Sequence, residues 1–372
     1  MNFVTLFPET ENVHLIKDVG MIGYVMHKYY GYNSSIACYK NGEYKYLEDE
    51  VKGLKLHFIK KRIGATLDGC VYIIRAARKI DVLHLFHLRG RSFLWMLIYK
   101  ALCPKGKVFL KIDGGLALHK KLSQKHSTIK VWVIRWTTGK NCLISTETKS
   151  IQSLLRKDWT ADVKYIPNGF YDNGKKHPIQ FKNKDNVLCT VGRIGTQQKA
   201  TEILLEAFKI ASEDIKDWNL RIVGAIEKQF EPYISKYFEE NPNLRARVIF
   251  TGVISDRKIL DAEYEKAKIF CLPSRFESFG IVLTEALKNG CYMICTNLPT
   301  SIEITGSGKY AKYFEIDDTK ALAQLIIETC KNENGLLSDR LCEDIQEYAY
   351  NNYYLPKICK EIDSYLMASY RE

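Results

Sequence analysis

Short apolar runs alternate along this chain with longer segments whose apolar positions recur every three or four residues. In the first half, Val13–Val19, Ser35–Tyr39, Leu56–Ile59, Val82–Phe86, Lys107–Ile112, Cys142–Ser145 and Val163–Ile166 read as strands. Gly20-Met21-Ile22-Gly23 reads as a turn after the first of them. Helices are predicted over Tyr24–Tyr30, stopped by Gly31, over Thr66–Lys79 with a stripe at Leu67, Val71, Ile74 and Ala77, and over Phe93–Leu102. A polar stretch rich in Gly, Lys and Asn then interrupts the pattern at Tyr171–Asn186. Beyond it the alternation restarts. Val187–Val191, Leu220–Val223, Val248–Phe250, Ile269–Leu272, Tyr292–Cys295 and Tyr313–Phe314 read as strands, and Thr201–Ser212 as a helix. Ser338–Met367 reads as helical and rich in tyrosine, with Pro356 marking a kink or a new helix start.

This βα alternation predicts an α/β protein with parallel sheets covered by helices. A length of 372 residues predicts two domains. The expected boundaries are 1–170 for the first domain, 171–186 for a linker, 187–345 for the second domain and 346–372 for a C-terminal segment. Ligands of such sheets bind beyond the carboxyl ends of strands. Gly192, Gly224, Gly252 and Pro273 all stand at predicted strand ends, so their loops could share one crevice.

Charge adds an asymmetry. Residues 1–175 carry 29 Lys and Arg against 14 Asp and Glu; the remainder carries 26 against 29. A basic first half suits an anionic partner: a phosphorylated substrate, a membrane surface or a nucleic acid. Within it, Leu116–Trp136 interleaves Lys120, Lys121, Lys125, Lys130 and Arg135 with Leu116, Leu118, Leu122, Ile129, Trp132 and Trp136, which is the composition of a membrane-surface segment or of a core helix with solvated lysines. Phe93–Tyr99 is the longest apolar run, far too short to span a bilayer, and reads as a buried helix. The N-terminus has no basic head followed by an apolar run, so no secretory signal is expected. Eleven cysteines lack CxxC or zinc spacing, which predicts reduced, mostly buried thiols in a cytoplasmic protein.

The chemistry concentrates in the second half. Glu277 and Glu285 bracket seven residues that include Phe279, Gly280 and Ile281, at a predicted loop-to-helix junction. A helix start offers unpaired N–H groups to a diphosphate, whereas carboxylates accept hydrogen bonds from sugar or ribose hydroxyls. A capped amphipathic helix with solvated glutamates has the same spacing. Upstream, Gly192 permits a close turn, and Arg193 and Lys199 supply a planar fork and a point charge for a diphosphate. No DxD pair is present, and Asp317-Asp318 reads as a helix N-cap, so a metal is not implied. In the first half, Asp113 either caps a turn before Gly114-Gly115 or orients an acceptor hydroxyl and accepts its proton. His87, just past a strand, could line the same crevice, while His84 reads as a packed strand residue.

Four motifs in order carry a resemblance: Ile166-Pro167-Asn168-Gly169, Val191-Gly192-Arg193, Lys199, and Pro273-Ser274-Arg275-Phe276-Glu277 through Glu285. The pattern resembles the retaining glycosyltransferases of family 4, and the likeness is sharp over about residues 163–300. It implies the GT-B fold, with two Rossmann-like domains facing across a cleft and a last helix that crosses back to the first domain. It implies that Arg193 and Lys199 hold the diphosphate of a donor nucleotide-sugar and that Glu277 contacts its sugar. Phe279, Gly280 and Ile281 would offer backbone N–H groups, Glu285 would hold the ribose, and the loop of Gly252 and Val253, with Gly224 nearby, would lie by the nucleobase. Gly20 and Gly23 occupy the place of the family's glycine-rich loop after the first strand, and Asp113 the place where many relatives have a histidine.

The function implied is metal-independent, retaining transfer of a hexose-type sugar from a UDP- or GDP-sugar to a glycan or lipid-linked acceptor. The setting implied is bacterial surface-polysaccharide assembly, with no cofactor beyond the co-substrate and with the enzyme at the inner face of the cell membrane. Two other readings stay open: a GT-B nucleotide-sugar epimerase, and a nucleic-acid-binding protein that uses the basic half. The second has no recognisable nucleic-acid motif in its support.

Overall fold

The computed structural model describes residues 1–87, 89–114, 141–159, 162–332 and 335–368. The Leu116–Trp136 segment lies outside them. The chain forms two compact units, one of Met1–Tyr171 with Tyr353–Glu372 and one of Asp172–Asn352.

The strands described in the first unit are β1 (Asn2–Leu6), β2 (Asn33–Cys38), β3 (Lys55–Phe58), β4 (Val82–Phe86), β5 (Lys107–Ile112), β6 (Cys142–Thr146) and β7 (Val163–Tyr165). They form one sheet in the order β3-β2-β1-β4-β5-β6-β7, with every pairing parallel. Alternate side chains go to opposite faces. Phe3, Ile36 and Phe109 pack under the helices Asp18–Tyr30 and Leu355–Ala368. Val4, Leu6, Leu83, Leu85, Val108 and Leu110 pack under Ala65–Ala76 and Gly90–Leu102. Trp95, Met96 and Tyr99 are buried in that second layer, as a helix apolar on most sides requires.

The C-terminal helix Leu355–Ala368 belongs to the first unit. Leu355, Ile358, Ile362 and Leu366 recur at helical spacing and are buried against it, each contributing roughly 1.5–3 kcal/mol. Tyr30 donates to the Pro356 carbonyl at 2.7 Å, and Tyr32 to Asp363 at 2.7 Å. Pro356 stands in the first turn, where its missing N–H costs nothing. The return starts at Tyr353 and not at 346. Residue 346 lies within the helix Asp339–Asn352, and Gln346 is tied to the second unit through the carbonyls of His177 and Lys288.

The second unit contains β8 (Asp185–Val191), β9 (Asn219–Val223), β10 (Val248–Gly252), β11 (Ala267–Leu272), β12 (Tyr292–Thr296) and β13 (Ala311–Phe314). Their order is β10-β9-β8-β11-β12-β13, again all parallel. Both units therefore have the doubly wound order, in which the chain reverses direction beside the first strand and leaves a crevice there. In the first unit the reversal falls between β1 and β4, and in the second between β8 and β11.

One expectation fails at the N-terminus. Val13–Val19 is not a strand, and Gly20 and Gly23 are not in a loop. Asn12–Leu15 and Asp18–Tyr30 are helices, and the first strand is Asn2–Leu6. Val19, Ile22 and Met26 form a buried helical stripe that outweighs the β-branched local composition. Both glycines are buried within that helix. A Cβ on Gly20 would overlap the Leu15 backbone, and one on Gly23 would press on Leu54 at 3.3 Å. They let elements pack closely and are not placed to approach a donor phosphate. The loop after the first strand is Phe7–Thr10 instead. Gly20→Ala should accordingly destabilise the chain by about 1–3 kcal/mol in urea denaturation; unchanged stability would refute the packing role.

Candidate functional site

In the second unit, the loops that leave β8 and β11 meet beside the topological switch point. The Arg275 N–H donates to the Gln198 carbonyl at 2.9 Å, and Gln198 Nε2 donates to the Phe276 carbonyl at 3.1 Å. The Arg275 guanidinium reaches the Gln197 carbonyl at 2.8 Å, Glu202 at 2.7 Å and Asp317 at 2.7 Å. This stitching brings Lys199 Nζ to 2.6 Å from Glu277 Oε1, with side-chain exposures of 15% and 7%. Gly192 lies under the Lys199 stem, where a Cβ would stand 3.2 Å from it. Arg193 is exposed at the rim and donates to Gln198 at 3.0 Å. Gly224 has φ +140°, and a side chain there would collide with the Gly192 carbonyl oxygen, so only glycine lets these strand ends approach.

Gly280, at φ +84°, caps the helix Ile281–Lys288. Phe279 is buried, so it anchors the helix start while the backbone carries the polar groups. Glu285 is not a solvated helix residue. It accepts from the Tyr264 hydroxyl at 2.9 Å and lies 3.8 Å from Arg257. Burial pushes the Tyr264 phenol well up, so that it stays a donor. Val253 is largely exposed just past β10. Arg193, Lys199, Gly192, Glu277 and the 279–281 turn thus lie on the adjoining loops after β8 and β11. Glu285 stands one turn further along the helix. Asp318 caps the helix Thr319–Lys331, its carboxylate accepting from the Ala321 N–H at 2.9 Å.

The first unit has a second polar cluster at its strand ends. Asp113 follows β5, and its Oδ2 is 3.3 Å from His87 Nδ1. His87 follows β4 in the left-handed region at φ 62°. Burial, helped by Arg89, lowers its pKa, which works against a charged imidazole beside the Asp113 carboxyl group. Burial raises Asp113 and pushes Asp18 up to about 6, with Asp113 adding repulsion. Glu147, directly after β6, is buried and pushed up to about 8 by that burial, with Lys111 opposing the shift. Asn168 donates to Glu147 at 2.6 Å. Among the described residues, Asp113 Oδ1, Glu147 Oε1 and Asn168 Oδ1 are buried without a hydrogen-bond partner. Such oxygens call for donors. His84 is fully buried, stacked on Phe109 and bonded to Thr5 at 3.0 Å, so it belongs to the core.

Glu147 and Asp18 are residues that sequence reasoning did not single out. The register pairs Ile112 with Thr146, which puts Asp113 and Glu147 at adjacent strand ends. Among the described residues no group of His, Cys, Asp and Glu has the arrangement of a metal site.

The second unit matches, over residues 172–352, the family model described as Glycosyl transferases group 1. A 41.2 kDa protein of the cps region of Klebsiella pneumoniae is 30% identical over 146 residues, 39% of this chain and 37% of that protein. A phosphatidyl-myo-inositol mannosyltransferase of Mycobacterium leprae is 25% identical over 177 residues, 46% of each chain. The chain therefore spans less than half the length of these relatives. Anabaena HepE, solved with UDP-glucose, superposes with a TM-score of 0.70 at 14% identity over 99% of this chain and 100% of that one. The chain has the GT-B fold, and its residues 172–352 are similar to the glycosyl transferases group 1 family.

Proposed function

We propose that this chain is a retaining, metal-independent glycosyltransferase that moves a hexose-type sugar from a nucleoside-diphosphate sugar to a glycan or lipid-linked acceptor. The observation that carries this reading is the joining of Arg193, Lys199, Glu277 and the Gly280 helix start at one switch point. Arg193 and Lys199 face the charge that grows on a departing diphosphate, and the helix start adds N–H donors. Glu277 fixes Lys199 and offers its carboxylate to sugar hydroxyls. Glu285, oriented by Tyr264, is placed for a ribose. In the step, the bond from the anomeric carbon to the diphosphate breaks and one to the acceptor oxygen forms on the same face. The acceptor proton passes to the leaving phosphate. The chain supplies positioning and fixed charge rather than a covalent nucleophile.

On the acceptor side, Asp113, His87, Glu147 and Asn168 form a hydrogen-bonding surface for hydroxyl groups. The relatives support this assignment: one is named for a lipid acceptor and another lies in a cps region, so the pathway we propose is surface-polysaccharide assembly. Among the described residues no helix is long and apolar enough to cross a membrane, and we place the enzyme peripherally at the cytoplasmic face.

Two measurements test these assignments. In a thermal-shift panel, a UDP- or GDP-sugar at about a hundred times its Kd should stabilise the wild type by about 2.7 kcal/mol, several degrees in Tm. Arg193→Ala should keep the ligand-free Tm, because Arg193 is exposed, and weaken the ligand tenfold or more. If no nucleotide or nucleotide-sugar shifts the wild type more than this variant, the donor site is wrong. The second measurement concerns pH. Glu147 takes up a proton on folding between its unfolded value near 4.5 and its folded value of about 8. Its contribution to stability is therefore full at low pH and declines as pH rises through that window. Glu147→Gln keeps an oxygen for Asn168 and removes the decline. The variant should gain Tm over wild type progressively from pH 5 to pH 8.5; a pH-independent difference would count against the buried, protonated carboxyl.

A further inference from the structure

We propose that residues 58–79 of the first unit form a docking face for an anionic lipid bilayer. The inference deepens the peripheral placement proposed above, on which it rests, by naming the surface. β3 is an edge strand, and Phe58 at its end is 53% exposed. Ile63 in the following loop is 71% exposed. The helix Ala65–Ala76 then turns Leu67, Val71 and Ile74 outward, while Cys70 and Ile73 go into the core. Leu67, Val71, Ile74 and Arg78 recur at i, i+4, i+7 and i+11, so one helical line is apolar, exposed and basic at its end. Five large exposed apolar side chains within 17 positions form a patch of the kind that marks an interaction site.

Charge selects the partner. Lys52, Lys55, Lys60, Lys61, Arg62, Arg75, Arg78 and Lys79 lie between Val51 and Ile80, and all are exposed. The single acidic residue in that stretch, Asp68, is buried. It accepts from the N–H groups of Arg62, Ile63 and Gly64 at 2.9, 3.2 and 3.2 Å, and from the Tyr39 hydroxyl at 2.7 Å. The acid that would spoil the surface is thus turned inward, where it fixes the loop that presents Ile63. Aliphatic side chains ringed by cations match the acyl boundary and phosphate layer of an anionic membrane. A second copy of the chain would bring the six like charges of residues 58–79 against six. A nucleic acid would leave the aliphatic line unburied.

The test is flotation of the full chain with phosphatidylcholine vesicles, with and without phosphatidylglycerol. Wild type should float with the anionic vesicles at low salt and stay behind with the neutral ones. Replacing Lys60, Lys61 and Arg62 together by Gln should weaken partitioning on the order of a hundredfold, and Ile63→Asp with Ile74→Asp should also abolish it. All five positions are exposed, so both variants should keep the wild-type Tm. Failure of wild type to float, flotation of both variants as wild type, or displacement of wild type from vesicles by an oligonucleotide at equal phosphate concentration would overturn the assignment. Flotation that behaves as expected while no nucleotide-sugar shifts the Tm would support the face and count only against the donor site.

Discussion

Arg275 holds the second unit's site together. Its backbone N–H and its guanidinium bind the loop after β8 at two points and Glu202 in the first turn of the helix that follows, and its remaining reach secures Asp317 from a third loop. A planar fork with several donors can do this; an ammonium ion with one centre cannot. The stitching fixes the distance between Lys199 and Glu277, two groups that are seventy-eight residues apart in sequence. With exposures of 15% and 7%, each would be costly to leave without the other. The pair is therefore a consequence of loop geometry, and the loop geometry follows from strand order, because β8 and β11 are neighbours only in a doubly wound sheet.

Much of this was legible from the residues. Strands buried on both faces are mostly apolar runs, so β4 and β5 could be read to the residue despite His84 and Lys111, and the strands of the second unit nearly so. Gly192, Arg193 and Glu277 stood out because they lie shortly beyond such runs. The N-terminus was not. β1, Asn-Phe-Val-Thr-Leu, starts at residue 2 with no preceding turn to announce it, and the mixed stretch Val13–Val19 looked more strand-like than it is. Once the first strand was misplaced, Gly20 and Gly23 were read as the loop that follows it, whereas that loop is Phe7–Thr10. Glu147 was missed for another reason. One carboxylate after a strand means little until the neighbouring strand is known, and the β5–β6 register is a tertiary fact.

The two units treat carboxylates differently. In the second, Glu277 and Glu285 each accept from a cationic or phenolic partner that holds the carboxylate in place. In the first, Asp18, Asp113 and Glu147 crowd around Lys111, and burial drives all three upward. Ionising one makes it harder to ionise its neighbours. Carboxyl groups biased toward the protonated form can meet a hydroxyl as donor or as acceptor, which suits a substrate whose hydroxyl must be held in place.

The basic surplus of the first half takes its meaning from this arrangement. Net charge alone could have served solubility. What decides otherwise is where each sign goes: along residues 52–79 every cation is outside and the one acid is inside. Solubility requires no such sorting, nor does it place Ile63 and Ile74 in water. The same Asp68 that is lost to the surface stiffens the loop that carries the apolar tip. A surface selected only to repel its copies would gain by exchanging those isoleucines for polar residues. Their presence amid cations argues for a partner that is negative at its face and apolar just beneath it, and a lipid headgroup layer has both properties in that order.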